Sequence, residues 1–104
     1  MAAAAAPVAP ERVVRPRLVF FTSSRSGHCR RVEGFLAQVL QRRHNHGTFR
    51  LHVVDQDEHP ELVRRFRIDS VPTIVVVDGR REQARLERPR GCRDIEALLS
   101  PWLR

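Results

Sequence analysis

Two runs of four apolar residues, LVFF at Leu18 to Phe21 and IVVV at Ile74 to Val77, contain no polar residue at all. A strand with one wet face alternates polar and apolar side chains. Unbroken runs this short, rich in β-branched and aromatic residues, read instead as strands buried on both faces. What lies between them must supply the cover. Val32, Phe35, Leu36, Val39 and Leu40 fall at helical spacing, with Arg31, Glu33, Gln38 and Arg42 turned outward. Ser26 is placed to cap that helix, and HNHG ends it.

Phe49, Leu51 and Val53 alternate with Arg50 and His52 as a second strand. DQDEHPEL then opens a helix with an acidic first turn, Pro60 near its start, and Leu62, Val63 and Phe66 facing inward. After Ile74 to Val77, the Asp78-Gly79 turn returns Glu82 to Leu86 as an antiparallel edge strand. Ile95, Leu98, Leu99, Trp102 and Leu103 form a last helical stripe. The order β-α-β-α-β-β-α predicts a mixed four-stranded sheet: a crossover unit pairs in parallel, and the closing hairpin adds an antiparallel edge.

Residues 1–17, MAAAAAPVAPERVVRPR, have no helical period and no basic-then-apolar order of a signal peptide, and read as a disordered Ala/Pro-rich leader before a domain at residues 18–104. No apolar run reaches the ~20 residues of a membrane span, and the cytoplasm is the expected location. The net charge of +7 comes from nineteen arginines and no lysine. Those arginines are scattered, and the six aromatics are taken up by core positions, so no base-stacking platform and no nucleic-acid role are expected. His44, His46 and His52 lack a convergent cysteine or acid, so no metal is expected, and nothing calls for a cofactor.

Ser26-Gly27-His28-Cys29 at the first strand-to-helix junction, Ser70-Val71-Pro72-Thr73 before the third strand and Gly91 after the edge strand together resemble the thioredoxin family. The resemblance spans about residues 18–103. It implies a three-layer sandwich that here lacks the usual first strand and helix. SGHC matches the family's Cys-x-x-Cys with serine in place of the first cysteine, and Val71-Pro72-Thr73 matches its cis-proline segment. Phe20 stands where many members carry a buried acid, and Arg25 where they carry a tryptophan.

Attack on a disulfide needs a thiolate, which a serine hydroxyl cannot replace without a neighbouring base. His28, two residues along the helix, does not face Ser26. Conventional two-cysteine catalysis is therefore not expected. What the resemblance implies is thiol–disulfide chemistry through Cys29, as a monothiol with glutathione as a candidate partner, or paired with Cys92, which the fold would bring beside the site. Arg25, Ser26 and His28 would tune the thiol, and Gly27, Val71, Pro72, Thr73 and Gly91 would bind a protein partner. The alternative is a redox-inactive module that binds a protein along the Pro72 groove.

Overall fold

A computed structural model describes residues 15–103. The elements are β1 (Arg17–Thr22), α1 (Gly27–Gln41), a 3-10 stretch (Arg42–Gly47), β2 (Arg50–Asp55), α2 (Pro60–Arg65), β3 (Thr73–Asp78), β4 (Arg81–Glu87) and α3 (Cys92–Leu99). The strands form one sheet in the order β2-β1-β3-β4. β1 pairs with β2 in parallel and with β3 antiparallel, and β3 pairs with β4 antiparallel.

The apolar runs of β1 and β3 occupy the two central strands and are buried throughout. Leu18, Phe20, Ile74 and Val76 face α1 and α3, where Val32, Leu36, Val39, Ile95 and Leu99 close over them. Each such side chain contributes about 1.5–3 kcal/mol on burial. Val19, Phe21, Val75 and Val77 point to the opposite face, toward Val54, Ile68, Leu62 and Phe66. Helices on both faces make the three layers. Phe20 is fully buried in the α1 side of the core, filling the place that the resemblance gives to an acid.

Three boundaries move. β1 begins at Arg17, and the Pro16 carbonyl already accepts from Arg50 N–H at 2.9 Å, so pairing begins inside the expected leader; residues 1–14 of that leader lie outside the described residues. β2 runs two residues beyond Val53, to Asp55, and Phe49 precedes it, its ring meeting Trp102 edge-on at 6.5 Å between centroids. Because β2 is an edge strand, Leu51 and Val53 stay 45% and 52% exposed although they alternate as core residues would. α3 stops at Leu99: Ser100 still has helical angles, but Pro101 has no N–H to continue the ladder, and Trp102 and Leu103 follow in a turn bonded to the Leu99 carbonyl.

α2 ends in a left-handed residue that is not glycine. Arg67 has φ 55°, with Arg67 N–H on the Arg64 carbonyl and Ile68 N–H on the Val63 carbonyl. That pair of bonds is the Schellman arrangement, which satisfies the last carbonyls of the helix. Arg85 on β4 fastens this corner, donating to the Phe66 and Arg67 carbonyls while its guanidinium holds both carboxylate oxygens of Glu82 at 2.8 Å. Among the described residues, no helix is long and apolar enough to cross a membrane.

Candidate functional site

The C-terminal end of β1 hands over to α1 through Ser23-Ser24-Arg25-Ser26. Ser26 takes an extended conformation and its Oγ accepts from Cys29 N–H at 3.2 Å, so the hydroxyl at the head of the helix is already used as the cap. The next two amides, of Gly27 and His28, make no hydrogen bond with described residues. They point along the helix axis at the positive end of its dipole. Gly27 and Arg25 are exposed and Ser26 is half-buried. Cys29 is 1% exposed: the thiol lies under the first turn, in the core.

A second segment meets this helix start. His28 Nε2 lies 3.2 Å from the Pro89 carbonyl, a donor contact in the Nε2–H form. One residue earlier, Arg88 has φ 51°, and its N–H donates to the Pro72 carbonyl at 2.8 Å. The Arg88-Pro89 corner therefore ties the head of α1 to Pro72. The Val71–Pro72 peptide bond is cis. Thr73 is buried, and its hydroxyl donates to the Ser70 carbonyl at 2.7 Å. Between them, Val71 is half-buried and neither its N–H nor its carbonyl bonds to a described residue. Backbone groups are obligatory hydrogen-bonding groups, so a free pair next to a helix head is an unfilled edge.

Most of the residues singled out in the sequence thus gather at one end of the sheet: Ser26, Gly27, His28, Cys29, Pro72 and Thr73. Gly91 sits at the head of α3. The two thiols are not brought together. Both are free, and Cys92 Sγ–H is aimed at the Gln38 side-chain oxygen at 3.1 Å and the Phe35 carbonyl at 3.7 Å. Those residues lie six and nine positions beyond Cys29, roughly 9 and 14 Å down the helix axis. Sequence reasoning missed Arg88 and Pro89, which make the bridge. Their signal was the Arg-Pro step at the end of β4, a chain break that also lends a carbonyl to His28.

Asp55, at the end of β2, holds the neighbouring loops. Its carboxylate accepts from Asp57 N–H at 2.8 Å and Ser24 N–H at 3.3 Å. The Asp57 amide above all holds its pKa below the usual value, with Ser24 and Glu58 adding to it. No group of three potential metal ligands occurs among the described residues. The side chains of His44 and His46 lie outside them.

Residues 10–101 match the family model described as thioredoxin. Protein disulfide-isomerase tigA of Aspergillus niger is 32% identical over 87 residues, which cover 83% of this chain and 24% of that protein, so the chain spans about a quarter of that relative's length. Among solved structures, Fasciola hepatica thioredoxin superposes with a TM-score of 0.74 at 16% identity, over 93% of this chain and 89% of that one. Trxlp from Edwardsiella tarda gives 0.74 at 16% identity, over 92% and 94%. Desulfothioredoxin from Desulfovibrio vulgaris Hildenborough gives 0.72 at 23% identity, over 85% and 82%.

Proposed function

The chain belongs to the thioredoxin family, and we propose that within it this protein is a binding module that holds an extended protein segment beside Pro72 without turning it over. The observation that carries this reading is the unbonded Val71 N–H and carbonyl, next to the unbonded amides at the head of α1. An extended segment pairing with Val71 adds main-chain hydrogen bonds as a new strand does. Its own carbonyl or carboxylate oxygen is then offered to Gly27 and His28 N–H. His28, held by Pro89, and Arg88, held on Pro72, keep the two halves of the surface in register.

Turnover needs a thiolate that the substrate disulfide can reach. The group at the exposed head of the helix is the Ser26 hydroxyl, engaged as a cap, and the thiol three residues on is buried. A second reading, thiol–disulfide exchange through Cys29, is favoured by the identity to a protein named as a disulfide isomerase. It requires the first turn of α1 to open so that the Cys29 thiolate can attack a disulfide sulfur and release the other sulfur as a thiolate.

Selecting binders from a random linear decapeptide library, then titrating the tightest into isotope-labelled protein, tests the proposal. Binding should shift the amides of Gly27, His28 and Val71, and Cys29→Ala should bind equally well. Binders that need Cys29, or that shift only residues elsewhere, would refute it.

A further inference from the structure

The outer edge of β2 carries a feature that the Pro72 surface does not use. Among the described residues β2 is hydrogen-bonded to β1 alone, so one row of its backbone groups faces outward from them. Natural edge strands are usually blunted by charge, proline or a bulge. The other edge of this sheet follows that rule, since β4 (REQARLE) carries four charged residues in seven and has a register shift in its pairing with β3. β2 (RLHVVD) instead exposes Leu51 and Val53 in its middle.

A groove of about 1040 Å³ lies over the α2 face of the sheet and reaches from this edge, at Leu51 to Val54, across Val19 and Val77 to Glu82 and Arg85 of β4. Leu51, His52, Val53 and Val54 all line it, although successive residues of a strand point to opposite faces. At its β2 end, contact with four consecutive residues carries the space around the rim of the strand, where a neighbouring strand would lie. On the α2 face its floor is apolar, made by Val19, Val54, Val77 and Phe66. α2 leaves that floor open because six helical residues span about 9 Å, against about 20 Å for the six-residue strands beneath.

The charges around the groove are one-sided. Arg17, Arg65, Arg67 and Arg80 line it and none forms an ion pair with a described residue. Its single carboxylate, Glu82, is held by Arg85. On β2 itself, register places Arg50 and His52 beside Arg17 and Val19, on the arginine-rich face, and Leu51 and Val53 beside Leu18 and Phe20, on the other.

We propose that the β2 edge and its arginine-rimmed groove receive an extended segment of a partner protein in which acidic residues alternate with apolar ones. Added as a fifth strand, such a segment sets its acids beside Arg50 and His52, on the face that carries Arg17 and Arg65. Its apolar side chains then cover Leu51 and Val53 as cross-strand neighbours. The alternation follows from the period of two, because a strand with its acids in one block meets only half of this pattern. Apart from Phe66, whose ring is packed against Phe21 at 5.4 Å between centroids, the floor is aliphatic and offers stacked bases little platform, which favours a peptide over a nucleic acid.

The test is fluorescence anisotropy of the full chain with a labelled hexapeptide alternating glutamate and valine. A peptide of the same composition in two blocks, and one with lysine for glutamate, are the controls. Saturable binding of the alternating acidic peptide alone, weakened by salt, is expected. Val53→Lys and Arg65→Glu, both at exposed positions, should each weaken it roughly tenfold, while Cys29→Ala binds unchanged. Failure to saturate by ~1 mM, equal binding of the block peptide, or unchanged affinity in both variants would overturn the proposal. So would a dimer in sedimentation that Val53→Lys dissolves, which would give the edge to a second copy of this chain. None of these outcomes bears on the Pro72 surface, at the other end of the sheet.

Discussion

Changing one atom at the head of α1 should turn this protein into a dithiol. In Ser26→Cys the new thiol takes the cap position, three residues before Cys29. The lost Oγ contact to Cys29 N–H costs about 1 kcal/mol, as helix caps typically do. For a domain of this size each kcal/mol moves the midpoint by about 4–8 °C, so the reduced variant should melt that far below the parent. A bridge between residues 26 and 29 closes a four-residue loop, worth about 2 kcal/mol in the chain-entropy description. The oxidised form should therefore melt about 8–16 °C above the reduced form. Paired thermal melts with and without reductant, together with intact mass, read both effects. The oxidised variant should be two hydrogens lighter, and the reduced variant, unlike the parent, should reduce a small disulfide substrate catalytically when a thiol reductant is supplied to recycle it. If it never loses two hydrogens, or its midpoint ignores reductant, the placing of Ser26 and Cys29 under one helical turn is wrong.

Two other perturbations follow from the geometry. Arg67→Gly relieves a left-handed residue at the end of α2 and, after the greater freedom of glycine in the unfolded chain, should stabilise by about 0.5–1 kcal/mol, raising the midpoint by about 2–8 °C; a lower midpoint would contradict the Schellman assignment. Asp55, whose pKa the Asp57 amide lowers from 3.8, favours the folded state at pH values above its unfolded pKa and loses that contribution as pH falls through its folded value. Asp55→Asn should thus be less stable than the parent near neutral pH and converge with it in acid, as urea titrations at several pH values would show; a constant gap would remove the ionised carboxylate from the loop's support.

The two apolar runs were enough to place the central strands, because a run buried on both faces has only one kind of place in a layered sheet. Ser26 was legible as a cap for a similar reason: a hydroxyl at the start of a helical stripe has a specific backbone partner to satisfy. The exposure of Leu51 and Val53 was not legible, since period-two alternation reports strand geometry and not whether a neighbour covers it. The separation of Cys29 from Cys92 also escaped the sequence. Landmarks fix which elements meet, but the point along α1 where α3 crosses is set by packing of Ile95 and Leu99 against the core. The Val71 backbone carries no side-chain signal, so only the family resemblance gave it a binding role, and the structure adds that its N–H and carbonyl bond to no described residue.

Binding without turnover is tested most directly by the chemistry of Cys29 in the folded protein. The protein is equilibrated in glutathione buffers of graded poise, quenched with an alkylating agent, and read by intact and peptide mass. Cys29 should stay unmodified at every poise and alkylate only after denaturation, with half-buried Cys92 reacting ahead of it. A glutathione adduct on Cys29 under native conditions, or a Cys29–Cys92 crosslinked peptide, would contradict the binding-module reading and make this a redox protein.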